Sequence, residues 1–139
     1  MKLSLIATAA LFALSAPAFA ADADKGEKEF KKCKACHEIV ADDGTAIVKG
    51  GKTGPNLYGI IGRQAGSVED FKYGDSLVAA GEGGLIWDEE NLATYSADPK
   101  EFLKEVTGDD GAKSKMTYKL KKGGDDVAAY LASVGPAVN

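Results

Sequence analysis

Between about Asp24 and Lys34, Phe30 and Cys33 fall at helical spacing with lysines among them, which predicts an amphipathic first helix. Asp24-Lys25-Gly26-Glu27 opens it as a capping box, an acidic N-cap followed by Glu at the third helical position. Gly26 inside that helix costs about 1 kcal/mol relative to Ala, a cost that close packing of another backbone would justify. From Ala41 to about Ser67 the periodicity stops, broken by Asp42-Asp43-Gly44, Gly50-Gly51, Gly54-Pro55-Asn56, Gly59, Gly62 and Gly66. A loop this long inside a small domain is expected to wrap something. A short helix is predicted around Ser76 to Ala80, and another from Asp88 to about Ala97, with Asp88-Glu89-Glu90 at the positive end of its dipole. Asp98-Pro99-Lys100-Glu101 starts a further helix through Phe102, Leu103 and Val106, ending near Gly108. Asp109 to Lys122 reads as a polar, lysine-rich loop. The last helix starts near Asp125-Asp126, places Val127, Tyr130, Leu131 and Val134 on one face, and ends at Gly135-Pro136. No alternating strand pattern and no internal repeat stands out, so the predicted class is all-α.

The N-terminus follows a different pattern. Lys2 precedes an apolar run from Leu3 to Leu14, and Ser15-Ala16-Pro17-Ala18-Phe19-Ala20 leads to an Ala-x-Ala site. Residues 1–20 are therefore expected to be a secretory signal peptide cleaved between Ala20 and Ala21, leaving one domain over 21–139. The apolar run is shorter than the roughly 20 residues that a membrane span needs; an uncleaved membrane anchor is the competing reading. The expected destination is the bacterial periplasm.

The chain has 139 residues, with 17 glycines, 8% aromatic residues and a net charge of −4. Cleavage removes Lys2 and no acid, so the mature protein is more acidic still, and nothing in it suggests nucleic-acid binding. A small glycine-rich domain is short of core, which small folds often remedy with a metal or cofactor.

Cys33-Lys34-Ala35-Cys36-His37 supplies the candidate chemistry. C-x-x-C-H is the covalent attachment signature for a c-type haem: each cysteine sulfur adds to a vinyl group and the histidine ligates iron. Positions three and four apart on a helical turn share a face, so the three side chains can address one porphyrin. Three alternatives compete. The cysteines of an exported protein could form a disulfide. A thioredoxin-like pair would be expected beside a βαβ pattern, which is not found here. A structural zinc needs four ligands, and the chain has no further cysteine or histidine.

His37 is the only histidine, and with Met1 lost to the leader, Met116 is the only methionine of the mature chain. A lone methionine is ordinarily a gap-filler in the core. Lys113-Ser114-Lys115-Met116-Thr117-Tyr118-Lys119, however, has no apolar periodicity to bury. Met116 therefore reads as the second axial ligand, in the His/Met arrangement of electron-transfer cytochromes. Iron ligated on both faces exchanges electrons and has no place for a substrate. The competing class is a haem enzyme or small-ligand sensor with a vacatable distal site.

With these motifs in place, the chain resembles class I cytochromes c, most of all the larger cytochromes c2 of purple photosynthetic bacteria. The resemblance rests on Lys25-Gly26-Glu27-Lys28-Glu29-Phe30, Cys33-x-x-Cys36-His37, Thr53-Gly54-Pro55-Asn56-Leu57-Tyr58-Gly59, Gly62-Arg63-x-x-Gly66, Ile86-Trp87-x-Glu89-Glu90, Tyr95-x-x-x-Pro99, Lys115-Met116 and Ala129-Tyr130-Leu131. It implies the small cytochrome c fold, short helices and long loops around one covalent haem c. It also implies that the Pro55 carbonyl accepts the His37 Nδ1 proton and that Arg63, the only arginine, lies near a haem propionate. Tyr73 and Trp87 would donate to propionate oxygens, and Tyr95 would point its hydroxyl at the Met116 sulfur. Gly26 and Phe30 would pack on Tyr130 and Leu131, so that the terminal helices cross. One departure is that the segment from Val106 to Lys115 is longer than in mitochondrial relatives and lacks a proline often found before the methionine.

The resemblance further implies a monomeric, soluble carrier, without enzymatic activity, taking electrons from a cytochrome bc1 complex. It would pass them to a photosynthetic reaction centre or a terminal oxidase. Lys31, Lys32 and Lys34 flank the first cysteine, and Lys113, Lys115, Lys119, Lys121 and Lys122 flank Met116. If both groups border one haem edge, they form a positive docking ring on an acidic protein.

Overall fold

The computed structural model describes residues 20–136, so the expected leader lies outside the described residues except for Ala20. The fold is mostly helical: α1 (Ala23–Glu29) runs into a 3-10 turn (Phe30–Lys32), followed by α2 (Asp75–Glu82), α3 (Glu89–Ala97), α4 (Pro99–Thr107) and α5 (Gly124–Val134).

The first helix starts earlier than its sequence suggests. Asp22, not Asp24, is the N-cap, its carboxylate accepting from the N–H groups of Asp24 and Lys25 at 3.0 and 3.2 Å. The choice between two similar acids is tertiary, because the Asp22 N–H also donates to Asp126 Oδ1 on α5 at 2.7 Å. α1 and α5 cross where Gly26 lies; a Cβ there would sit 1.9 Å from the Asp126 carbonyl oxygen and 2.8 Å from Tyr130 Cβ. Only glycine allows that approach. One turn on, Phe30 meets Tyr130 with ring centroids 5.9 Å apart. Phe30 is almost wholly buried, which stabilises the crossing by roughly 1.5–3 kcal/mol.

Two short strands, β1 (Ile39–Val40) and β2 (Ala46–Val48), form an antiparallel hairpin inside the stretch read as irregular. This corrects the expectation of no strand. Elements of two and three residues are too short to show alternation, and the turn chemistry of Asp43-Gly44 carries them. Asp43 Oδ1 accepts from the Thr45 N–H at 2.9 Å, and Gly44 adopts φ 86°. A second antiparallel contact joins 62–65 to 85–87: Gly62 N–H to Trp87 O at 2.7 Å, Trp87 N–H to Arg63 O at 2.9 Å and Ala65 N–H to Leu85 O at 2.9 Å.

α3 is capped reciprocally by Asp88 and Asn91. α4 has Asp98 as N-cap, Pro99 in its first turn and Gly108 in the left-handed region at its end, as the sequence predicts. Trp87, Tyr95 and Phe102 form one aromatic cluster with centroid separations of 5.0 to 6.0 Å. The loop after α4 is less purely polar than expected, since Ala112 and Leu120 are buried in the core and pin both of its arms. Among the described residues, no helix is long and apolar enough to cross a membrane.

Candidate functional site

The Cys33–His37 segment is a tight turn leaving the 3-10 helix. The N–H groups of Cys36 and His37 both reach the Cys33 carbonyl, at 3.1 and 3.0 Å, so both cysteines and the histidine belong to one helical turn. Cys33 and Cys36 are not joined to each other in a disulfide. Burial, with Glu29 nearby, pushes the Cys33 thiol up to about 11; Cys36 is exposed.

The His37 ring is held from two sides. Its Nδ1 lies 2.8 Å from the Pro55 carbonyl. A carbonyl only accepts, so Nδ1 carries the proton and Nε2 keeps a lone pair. Burial holds the imidazole below its ordinary pKa, and the Pro55 bond offsets this only in part. Neutral imidazole is the form a metal requires. Gly54 lies flat against the ring, where a Cβ would come 2.3 Å from Cε1 and 2.6 Å from Nδ1. Gly50 and Gly51 pack equally closely on the carbonyls of His37 and Ala35. The glycine-rich loop therefore wraps the C-x-x-C-H turn itself.

Met116 is half-buried and packs against the core, as does Cys33. The Ser114 hydroxyl donates to the Met116 carbonyl at 2.8 Å. Burial raises the Tyr95 pKa, and the nearby Ser114 side chain offsets this in part. The Tyr95 side chain thus comes close to the methionine loop at Ser114. Ser114 was not legible as a site residue, because a serine between lysines carries no periodic signal.

Arg63 and Tyr73 come within electrostatic reach of one another. Arg63 Nη1 donates to the Asn56 carbonyl at 3.1 Å and Nη2 to the Tyr58 carbonyl. Burial lowers the guanidinium pKa, partly offset by Tyr73 and Asp42, which places the Tyr73 hydroxyl within electrostatic reach. Tyr73 Oη accepts from the Val68 N–H at 3.2 Å, leaving its own proton to donate. Trp87 is tied to Arg63 by the backbone pairing of 62–65 with 85–87.

Of the lysines in the two groups, Lys32 and Lys122 are brought together, lining a cleft of about 310 Å³ with Lys25, Lys28, Glu29 and Asp126. Tyr118 lies close enough to Lys32 to raise its pKa, after the larger effect of Glu29.

A c-type haem fits this set of residues. Two cysteines that do not pair with each other share a turn with a histidine whose Nδ1 is held by Pro55 and whose Nε2 keeps a lone pair. Leu57, Ile61, Leu77, Leu85 and Leu92 join Met116 as half-buried apolar side chains on the core, suited to an apolar macrocycle. Arg63 and Tyr73 offer donors suited to carboxylates at its edge. Short helices closing on one C-x-x-C-H turn define a small single-haem c-type cytochrome.

Comparison with known proteins narrows the class. No protein-family model matches the chain. A cytochrome c2 from Rhodobacter capsulatus is 64% identical over 135 residues, covering 96% of this chain and 98% of that one. A cytochrome c-551 from Roseobacter denitrificans is 58% identical over 135 residues, covering 96% of each. The solved structure of the Rhodobacter capsulatus cytochrome c2 superposes with a TM-score of 0.80 at 65% identity, covering 81% of this chain and 97% of that one. Ferric cytochrome c-550 from Paracoccus versutus gives 0.81 at 58% identity, covering 84% and 99%. The chain belongs to the class I c-type cytochromes, in the group of cytochromes c2 and c-550. Its cofactor is one covalent haem c and its role is that of an electron carrier.

Proposed function

We propose that this protein is a periplasmic carrier of single electrons in which His37 and Met116 are the axial ligands and Cys33 and Cys36 form the thioethers. The bound haem supplies a one-electron couple. Everything else is done by the chain. Pro55 fixes the His37 tautomer and raises the basicity of the ring. Met116 closes the opposite face and favours a high potential. Arg63, Tyr73 and Trp87 stabilise the propionates, while Tyr95 and Ser114 hold the methionine loop. With both axial positions filled from within the chain, there is no site for a substrate, and the protein works as a carrier and not as an enzyme.

The observation that carries this reading is the 2.8 Å contact between His37 Nδ1 and the Pro55 carbonyl, which commits one ring nitrogen and leaves Nε2 to the metal. The test is a visible and near-infrared spectrum of the purified protein. Low-spin iron with a sulfur-to-iron charge-transfer band is expected. High-spin iron binding carbon monoxide without delay would favour the enzyme or sensor class instead.

The leader over residues 1–20 would direct export and be removed after Ala20, so that the intact mass of the periplasmic protein equals residues 21–139 plus one haem. Full-length precursor in the membrane fraction would contradict this. As a cytochrome c2-like monomer it would accept electrons from a cytochrome bc1 complex and deliver them to a photosynthetic reaction centre or a terminal oxidase. Docking would use the lysines that flank Cys33 and Met116 around the haem edge.

A further inference from the structure

We propose that Asn56 is a positioning residue for the His37 ligand: it locks the Pro55–Asn56 peptide so that the Pro55 carbonyl stays aimed at Nδ1. The inference rests on His37 being an axial ligand, and it concerns how that ligand is tuned.

The Asn56 side chain makes three directed bonds. Oδ1 accepts from the Val40 N–H at 3.0 Å and from the Tyr58 N–H at 3.1 Å, and Nδ2 donates to the Val40 carbonyl at 2.8 Å. The amide therefore serves both backbone groups of Val40, as a neighbouring strand would, and adds a rung to the exposed side of β1. The Leu57 N–H to Glu38 carbonyl bond at 3.0 Å fixes the next peptide to the residue that follows His37. Arg63 Nη1 holds the Asn56 carbonyl at 3.1 Å. With its side chain on β1 and its carbonyl on Arg63, Asn56 cannot rotate, and neither can the peptide that carries the Pro55 carbonyl. β1 is itself anchored, because Ile39 is fully buried. The hairpin and the 55–58 segment thus act as one rigid support for a single hydrogen bond.

A hydrogen bond to Nδ1–H raises the basicity of the imidazole and so favours ferric iron; partners of this kind tune ligated metals as strongly as they orient them. Loosening it favours the ferrous state. The simpler alternative is that Asn56 only keeps the hairpin folded. Asp43→Ala separates the two, since Asp43 holds the hairpin turn through Thr45 and touches nothing at residues 55–58.

The experiment measures the reduction potential and, in the ferrous protein, the exchange rate of the His37 Nδ1 proton by NMR, in the parent, Asn56→Ala and Asp43→Ala. Asn56→Ala should shift the ferrous/ferric equilibrium by about threefold toward ferrous, ~30 mV upward for a one-electron couple, and speed Nδ1–H exchange above the parent's rate. Asp43→Ala should change neither. A folded Asn56→Ala protein with parental potential and exchange overturns the proposal, and so does an equal shift in Asp43→Ala. If Asn56→Ala fails to load haem, Asn56→Ser decides: it keeps a hydroxyl for Tyr58 but loses both Val40 bonds, and parental exchange in it overturns the proposal. A parent without a low-spin, nitrogen-ligated spectrum fails earlier, at the ligand assignment, and takes this inference with it.

Discussion

Around His37 the chain is held by backbone packed on backbone, whereas around Met116 it is held by side chains. Three glycines bring the 50–54 loop within van der Waals contact of the C-x-x-C-H turn, and the Pro55 carbonyl closes the arrangement at 2.8 Å. The methionine loop is tied more loosely. Lys115 Nζ reaches the Lys72 carbonyl at 3.0 Å, the Lys113 N–H reaches Ser76 Oγ at 3.0 Å, Ser114 holds the Met116 carbonyl and Lys119 pairs with Asp98 at 2.9 Å. Side-chain bonds at a surface contribute about 1 kcal/mol or less each and open separately. Glycine packing admits no intermediate state. The His37 side should therefore fail all at once, and the Met116 side should open locally at low cost.

The contrast is broken most severely by a single methyl group. Gly54→Ala would place Cβ 2.3 Å from His37 Cε1, and neither the ring nor the loop can move aside. We expect a loss of more than ~3 kcal/mol, beyond ordinary overpacking, read as failure to load haem or as a sharply lowered melting temperature. On the other side, Gly74→Ser meets only the flexible Lys115 chain, with Cγ at 3.4 Å, at a position where serine is a good N-cap for α2. It should leave stability unchanged or slightly improved. Equal damage at both positions would abolish the distinction.

Next in size is Met116→Ala. Haem should remain attached through Cys33 and Cys36, the potential should fall by a sizeable part of the ~0.8 V range that axial ligands command, and azide or carbon monoxide should bind where the parent excludes them. A retained sulfur charge-transfer band would refute Met116 as the ligand.

Ser114→Ala probes the same side more gently. It removes the bond to the Met116 carbonyl beside Tyr95, for a cost of about 1 kcal/mol. The charge-transfer band should vanish at a lower temperature than in the parent while global unfolding moves little. Tyr95→Phe should have a similar effect, and the double variant should cost less than the two single changes added together. Strict additivity would mean that Tyr95 and Ser114 do not act as a pair.

This asymmetry also governs what could be read from sequence. C-x-x-C-H and the helix starts at Asp88 and Asp98 are local patterns with fixed spacing, and each was legible, whereas the crossing at Gly26 came from family resemblance. The choice of Asp22 over Asp24 as N-cap was not, because Asp126, far along the chain, decides it. Likewise the pairing of 62–65 with 85–87 depends on partners distant in sequence, while the 39–48 hairpin escaped notice because its strands are only two and three residues long. Ala112 and Leu120 looked like parts of a polar loop since each is a single apolar residue, and only the folded core shows what they anchor. Arg63 and Tyr73 came from family resemblance, and their approach to one another is a property of the fold.

The smallest expected effect concerns charge at the exposed rim and sharpens the comparison there. Lys32 is held by Glu29 at 2.6 Å and Lys119 by Asp98 at 2.9 Å, so each side of the rim has a lysine tied to an acid. The field a partner meets includes these counter-charges, since they lie well within the roughly 8 Å screening length at physiological salt. Removing an acid should then act opposite to removing a lysine. Glu29→Gln and Asp98→Asn, the latter keeping a good N-cap, should each speed reaction with an acidic-faced partner about twofold at low salt. Lys32→Glu and Lys119→Glu should slow it somewhat more, because each shifts the local charge by two. All four differences should fade as salt rises, and the reduction potential should barely move. Stopped-flow rates measured across a salt series would decide: rates indifferent to salt, or acceleration by the lysine replacements, would mean that the lysines beside Cys33 and in the methionine loop are not where the partner docks.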